Sequence, residues 1–154
     1  MKPKKPITPR DAQIKAEELC ARAEHSAGEI RQKLIKWGIY PDEADRIVSA
    51  MIKARFIDDA RFARIYVRYK IEFSKWGKRK VAMGLYQKRV ARDIINEALD
   101  EYDDEKYIES LRRALDSKRR TLADADTYEG RTKLFRFAVS RGFEPDLVAR
   151  ELRK

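Results

Sequence analysis

The sequence predicts an all-α protein made of three tandem three-helix units, each similar to a helix-turn-helix. Two observations support this: apolar residues recur at the spacing of an α-helix, and the whole arrangement recurs along the chain at offsets of 45 to 53 residues. The 154 residues include only six Gly and five Pro, and 40% are charged, which favours solvated helices over a loop-rich β fold. Since one such unit buries little alone, we expect nine main helices in an elongated, curved array without a β-sheet.

The first unit is predicted over residues 8–55, after a basic N-terminal tail over residues 1–7. Thr8 followed by Pro9 is typical of a helix start. Four apolar positions of this first helix lie 50 residues before counterparts in the second unit: Ala12, Ala16, Leu19 and Ala23. Ser26 with Glu29 has the spacing of a capping box and predicts the start of a second helix.

The second unit, predicted over residues 56–102, has the clearest helical pattern. Asp58 or Asp59 can cap its first helix. The apolar residues that follow at i, i+3, i+4, i+7 and i+11 predict the packed face: Phe62, Ile65, Tyr66, Tyr69 and Phe73. We expect Gly77 to end this helix in the left-handed conformation. Trp37-Gly38 and Trp76-Gly77 are interpreted as equivalent helix ends, with both tryptophans packed in the core or between units.

The third unit is predicted over residues 103–154. Tyr107 lies 45 residues after Phe62, whereas Leu134 lies 53 residues after Val81. This change of offset implies eight extra residues between the first and second helices. They are expected in the polar stretch 120–127.

Residues that could support catalysis are scarce. His25 is the only histidine, so a triad, a dyad or a multi-histidine metal site is ruled out. Cys20 is the only cysteine, which excludes an intramolecular disulfide and favours a structural thiol in a reducing, cytoplasmic compartment. The acidic pairs at 58–59 and 103–104 are interpreted as helix caps. We therefore expect no enzyme activity, no metal and no cofactor, and no apolar run approaches the ~20 residues that span a membrane.

The basic residues are concentrated, and they predict an anionic partner. The net charge is +10, and residues 61–92 alone contain eleven basic side chains against one acidic side chain, Glu72. We predict that partner or DNA binding uses this window and a later basic cluster. The candidate residues are Arg61, Arg64, Arg68, Lys75, Lys78, Arg79, Lys80, Lys88, Arg89, Arg92, Arg112, Arg113, Lys118, Arg119 and Arg120. Arg61, Arg64 and Arg68 recur at i, i+3 and i+7, which predicts a charged stripe across from the aromatic stripe. A solvated helix face is the alternative interpretation.

Two segments resemble the RecX family. One runs from Arg22 to Ser26 and continues through Glu29, Leu34 and Gly38, and the more specific one is Asp58-Asp59-Ala60-Arg61-Phe62-Ala63. The resemblance implies tandem three-helix repeats and no catalytic residues. It also implies a protein that binds the RecA recombinase filament on DNA and modulates, usually inhibits, its recombinase and ATPase activities in DNA repair. One departure is Arg89, where the family favours Gly and the other two units carry Gly38 and Gly142.

Two functions are therefore compared. The first is a monomeric regulator that binds a RecA filament and touches DNA weakly or through the filament. The second is a protein that binds DNA directly through basic helix-turn-helix units. Direct DNA binding predicts high affinity without recombinase and a steep salt dependence, whereas filament binding predicts dependence on recombinase. An enzyme would require a clustered acid-base or metal site.

Overall fold

The computed structural model describes residues 6–154, and this part of the chain forms nine α-helices and no β-strand. Most of the tail predicted over residues 1–7 lies outside the described residues. The helices are α1 (Pro9–Arg22), α2 (Ala27–Lys36), α3 (Pro41–Lys53), α4 (Asp59–Glu72), α5 (Lys78–Gln87), α6 (Arg92–Glu101), α7 (Asp104–Arg119), α8 (Tyr128–Ser140) and α9 (Pro145–Leu152). Successive triplets pack together, so the predicted fold of three tandem three-helix units is confirmed. We call them units 1, 2 and 3.

Side-chain caps begin several helices where the sequence predicted them. The Thr8 side chain accepts from the Asp11 N–H, and the Asp58 side chain accepts from the Arg61 N–H. Ser26 and Glu29 form the complete reciprocal capping box. These contacts satisfy N–H groups that have no partner within the first turn of a helix.

The packed face of α4 differs from the predicted stripe. Of that stripe, only Phe62 is buried, whereas Ile65, Tyr69 and Phe73 are 49%, 56% and 72% exposed. The helix instead packs through Ala63, Val67 and Ile71, which recur every fourth residue. These small and branched side chains pack in the shared core, where α4 lies in contact with α5, α6 and α7. Ala12 and Ala16 of α1 are buried exactly 51 residues before Ala63 and Val67, so the first two units align at 51 throughout.

The prediction that Gly77 ends α4 in the left-handed conformation was also wrong. Lys75 takes the positive φ, at 56°, whereas Gly77 has a φ of −83° and is the N-cap of α5. Glycine is required there for a different reason, because a Cβ would overlap the backbone of Gly142 and Phe143. The two tryptophans are therefore not equivalent: Trp37 ends α2, while Trp76 precedes α5.

Two separate apolar cores hold the three units. Unit 1 has its own core, which includes Ile30, Leu34 and Met51. Units 2 and 3 share a single core, in which Leu85 and Leu111 belong to one continuous cluster. The chain is thus one independent unit joined to a fused pair.

Each junction between units places the start of a second helix against the turn of the next unit. We call the start of a second helix the tip, and the turn between the second and third helices the corner. The corners are Trp37-Gly38, Lys88-Arg89 and Arg141-Gly142. The first junction joins units 1 and 2, and the second junction joins units 2 and 3.

In the first junction, side chains of both units cap α2. The Ser26 hydroxyl donates to the Lys88 carbonyl at 2.7 Å, and the Ala27 N–H donates to the Asp59 carboxylate at 2.8 Å. Asp58 caps its own helix, so the two adjacent aspartates cap two different helices. Arg89 has a φ of 63°, and it lies against Gly28, where a Cβ would overlap the Arg89 Cβ.

In the second junction, unit 3 caps the start of α5, whose N-cap residue, Gly77, has no side chain to do so. The Gly77 N–H donates to the Arg141 carbonyl at 2.7 Å, and the Arg79 N–H donates to the Gly142 carbonyl at 3.0 Å. Between them, the Lys78 N–H donates to the Tyr107 hydroxyl at 2.9 Å. Burial raises the pKa of Tyr107, so its hydroxyl stays protonated and donates in turn to Glu144 at 2.8 Å.

Candidate partner-binding surface

The three arginines of α4 have different environments. Arg64 and Arg68 are exposed, and Arg68 lies 3.4 Å from Glu72 one turn away. Arg61 is tied to unit 1, because its Nε donates to Glu24 at 2.7 Å across the first junction. Arg64 and Arg68 are therefore positioned to meet a partner, whereas Arg61 already joins two units.

Two further candidates are engaged at the first junction. The Lys88 ammonium pairs with Glu29 at 3.1 Å. With the Gln32 amide oriented so that its oxygen faces Arg89, the Arg89 guanidinium donates to that oxygen at 2.7 Å. Arg92, the first residue of α6, is exposed beside them. Part of the charge in this window thus holds units 1 and 2 together.

The candidates near the second junction are also partly engaged. The Lys75 ammonium donates to the Glu72 carbonyl at 2.6 Å. Lys78 lies 4.0 Å from Asp104 and over the ring of Tyr107. Lys80 lies over the ring of Trp76, 4.6 Å from its centroid, and Arg79 keeps an exposed side chain.

Exposed aromatic residues, which the helical spacing predicted to be packed, lie beside these cations. On α4, Ile65, Tyr69 and Phe73 follow one another along the exposed face, and the Tyr69 and Phe73 rings are 5.2 Å apart. Lys70 lies within cation–π range of Tyr66, Tyr69 and Trp76, at 5.5, 5.9 and 4.4 Å from the ring centroids.

We call this surface the aromatic–basic face: Arg64, Ile65, Arg68, Tyr69, Lys70, Phe73, Trp76 and Lys80. The line of Ala63, Val67 and Ile71 was the sequence signal that would have revealed it. Exposed rings among cations suit a partner that offers both negative charge and flat or apolar groups.

The later basic cluster is divided between two roles. Arg112 pairs with Glu151 of α9 at 2.9 Å, and Arg113 pairs with Glu109 on its own helix at 3.2 Å. Hydrogen bonds from Arg112 lower the pKa of Glu151, whose side chain is 4% exposed. Lys118 lies over the Phe137 ring, and Arg119 and Arg120 are exposed at the end of α7.

The residues that could suggest catalysis have structural environments. His25 Nδ1 contacts the Ala23 carbonyl at 2.8 Å, just before the cap of α2. Partial burial, with Glu24 nearby, raises the pKa of the Cys20 thiol and so disfavours the reactive thiolate. Among residues 6–154, no group of three or more His, Cys, Asp or Glu side chains is placed to hold a metal ion. None of the helices described is long and apolar enough to cross a membrane.

The fold and the junctions define a class of tandem three-helix proteins, and family models identify it. The first, second and third three-helix domains of RecX match residues 12–49, 58–99 and 104–152. The chain belongs to the RecX family. Its curated relatives carry the name regulatory protein RecX.

Individual relatives agree with this assignment. Regulatory protein RecX of Prosthecochloris aestuarii is 33% identical over 84% of this chain and 83% of its own length. The Clostridium botulinum Eklund 17B protein of the same name is 32% identical, with 90% of this chain and 64% of the relative covered. The Lactobacillus johnsonii protein is 31% identical over 79% of this chain, which spans only 45% of that relative's length.

Solved structures confirm the fold. RecX from Lactobacillus salivarius superposes with a TM-score of 0.82 at 21% identity, and the match covers 94% of this chain and 96% of the other. A second structure, described as regulatory protein RecX, gives a TM-score of 0.78 at 20% identity and covers 90% of this chain and 70% of the other.

Proposed function

We propose that this protein binds the RecA recombinase filament on DNA through the aromatic–basic face and inhibits the activity of the filament. The observation that carries the proposal is the adjacency of Arg64 and Arg68 to Ile65, Tyr69 and Phe73 on one exposed face of α4. A nucleoprotein filament offers both acidic and apolar surface, and a face with basic and aromatic side chains complements it. Family membership supports the regulatory role.

The cations of this face supply electrostatic attraction, and the rings supply contact area. Arg64 is exposed, and Arg68 keeps 75% of its side chain exposed despite Glu72. Aromatic side chains dominate the energetics of many protein interfaces because they bury large areas with few rotatable bonds. The remaining exposed candidates (Arg79, Arg92, Arg119 and Arg120) extend the positive potential beyond this face.

The experiment is charge reversal on α4. Arg64→Glu with Arg68→Glu should weaken binding to a RecA–DNA filament at least tenfold and abolish inhibition of its ATPase. Folding should be retained, because exposed substitutions change stability by only about 0.5 kcal/mol. Phe62→Ala is the contrasting core substitution and should lower the free energy of unfolding by about 3 kcal/mol or more.

A matched control is available on α3. Arg46 is also 75% exposed and also pairs with an acid of its own helix, Glu43 at 3.1 Å. Arg46→Glu should leave filament binding unchanged. If the α4 reversal binds as well as the parent protein at moderate salt, the aromatic–basic face is not the binding surface, and the exposed end of α7 becomes the next candidate.

Direct binding to single-stranded DNA is the second candidate, and the exposed rings favour it. Bases stack on aromatic side chains for about 1–3 kcal/mol each, whatever the sequence. Tyr69→Ser with Phe73→Ser would then weaken binding to an oligonucleotide without recombinase. The salt slope would instead respond to the charge reversals on α4, because each lost phosphate contact would reduce it by roughly 0.7 for single-stranded DNA. Tight oligonucleotide binding without recombinase would favour this function over filament binding.

A further inference from the structure

The three units carry a small buried residue at one aligned position near the tip. Ser26 lies 51 residues before Gly77, and Gly130 lies 53 residues after Gly77. All three residues are buried, although each is near the start of a helix. Something therefore covers each of these positions closely.

In units 1 and 2 the cover is the corner of the following unit. The Ser26 hydroxyl meets the Lys88 carbonyl, and the Gly77 N–H meets the Arg141 carbonyl, both at 2.7 Å. Lys88 and Arg141 are aligned, 53 residues apart. In both units, therefore, the tip is contacted by the corner of the following unit.

In unit 3 the cover is the chain's own insertion. A Cβ on Gly130 would overlap the backbone of Asp124 and Ala125. The Thr127 hydroxyl donates to the Asp124 carbonyl at 2.7 Å, as Ser26 donates to Lys88. The insertion is anchored by an ion pair between Lys133 and Asp124 at 3.1 Å and by Leu122, which packs against the shared core.

At the other end of the array, the corner of unit 1 is uncovered. Gly38 aligns with Arg89 and Gly142, both of which contact a tip. Gly38 has a left-handed φ of 97°, as Gly142 does, but no described atom outside its chain neighbours lies within 4 Å of its Cβ position. The corner of unit 1 thus has the same backbone form at Gly38 as the corner at Gly142, but no tip among the described residues contacts it.

We propose that residues 120–127 mask a latent head-to-tail interface, in which the tip of α8 would dock on the Trp37-Gly38 corner of a second copy of this chain. The two internal junctions show that a tip and a corner of this fold are complementary, and the α8 tip and the Trp37-Gly38 corner align with them. The insertion takes the place of a following unit on α8 and keeps the protein monomeric.

The experiment deletes residues 120–127. This leaves Tyr128-Glu129 leading into Gly130, as Lys75-Trp76 lead into Gly77. In sedimentation velocity, the parent protein should show one monomer coefficient at all concentrations. The deletion variant should form oligomers whose size increases with concentration. A second variant replaces residues 117–129 with the connection 72–76 of unit 2, which already joins two such helices in this fold.

The acceptor is tested with Gly38→Arg. Unit 2 carries arginine at the aligned position 89 with a positive φ, so the fold tolerates it there. That arginine requires Gly28 in the docked helix, whereas the aligned residue of α8 is Thr132. Gly38→Arg should therefore return the deletion variant to a monomer and leave the parent protein a folded monomer.

Two outcomes would overturn the proposal. One is a shortened variant that unfolds cooperatively, keeps its helical content and remains monomeric. The other is self-association that persists with Gly38→Arg, since it would use a different surface. If the deletion prevents folding, the grafted connection decides between the same outcomes.

Discussion

The first junction is held mainly by side chains, whereas the second is held by backbone groups and a shared apolar core. Ser26 and Asp59 carry the caps of the first junction, and Arg61 pairs with Glu24 across it. In the second, N–H groups of the α5 tip donate to carbonyls of the α8–α9 corner. The same step between units is therefore built from two different chemistries, and only the second merges the cores.

The glycines that allow close approach differ between the two junctions. In the first junction, Gly28 on the tip faces Arg89 on the corner. In the second, a Cβ on Gly77 of the tip would overlap the Gly142 backbone, and a Cβ on Gly142 of the corner would overlap the Lys80 Cβ. The first contact thus has a glycine on the tip alone, whereas the second has one on each side.

The largest effect is expected from breaking the shared core. Phe143 is fully buried and stacks on Tyr107 with ring centroids 5.5 Å apart. Phe143→Ala should lower the free energy of unfolding by about 3–5 kcal/mol in urea. Hydrogen exchange should speed up in α4 to α9 but not in α1 to α3, because unit 1 has its own core. Equal acceleration in unit 1 would contradict the division into two cores.

An intermediate effect is expected at Gly28, the glycine of the first junction. Gly28→Ala places a Cβ against that of Arg89 and should destabilise by about 1–3 kcal/mol. Arg89→Gly removes that Cβ and relieves a positive φ that costs about 1 kcal/mol or more. The double variant should therefore recover most of the loss caused by Gly28→Ala, as measured by urea unfolding. Additive effects of the two substitutions would mean that these residues do not compete for the same space.

The smallest effect is a pH dependence at Asp59. Burial raises its pKa above the ordinary 3.8, and Asp58 and Glu29 add to the rise, although the Ala27 N–H opposes it. Because the folded pKa of Asp59 exceeds the unfolded one, the stability that this group contributes is fully present below pH 3.8. That contribution is lost as the pH rises through the folded pKa. Asp59→Asn keeps an oxygen for Ala27 but removes the charge. It should flatten this decrease in urea unfolding, and Asp59→Ala should flatten it too but be less stable than Asp59→Asn by about 1 kcal/mol at every pH.

The helices and their order were predictable because their signals are local: the Ser26–Glu29 box and the Asp58 cap depend on sequence neighbours. The insertion was predictable because the offset between aligned residues of units 2 and 3 changes from 45 to 53. Arg89 aligns with Gly38 and Gly142, and like them it has a positive φ. Local chemistry therefore determines most of this fold.

The errors arose where another unit decides the outcome. Ile65, Tyr69 and Phe73 have helical spacing, but α7 of unit 3 and the helices of unit 2 select the line through Val67. Gly77 begins α5 rather than ending α4. Glycine is required at this position because a Cβ would overlap Gly142, which lies 65 residues away in the sequence. For the candidate surface, sequence identified the cations but not which of them, such as Arg61 and Lys88, are engaged between units.

The separate core of unit 1 has a mechanical consequence. A load applied between the two ends of the chain acts on both junctions in series. The first junction yields by exchanging a few hydrogen bonds and ion pairs for water, whereas the second must expose buried apolar surface. Unit 1 would therefore detach as an intact three-helix body while units 2 and 3 stay joined, so the molecule extends in steps rather than all at once.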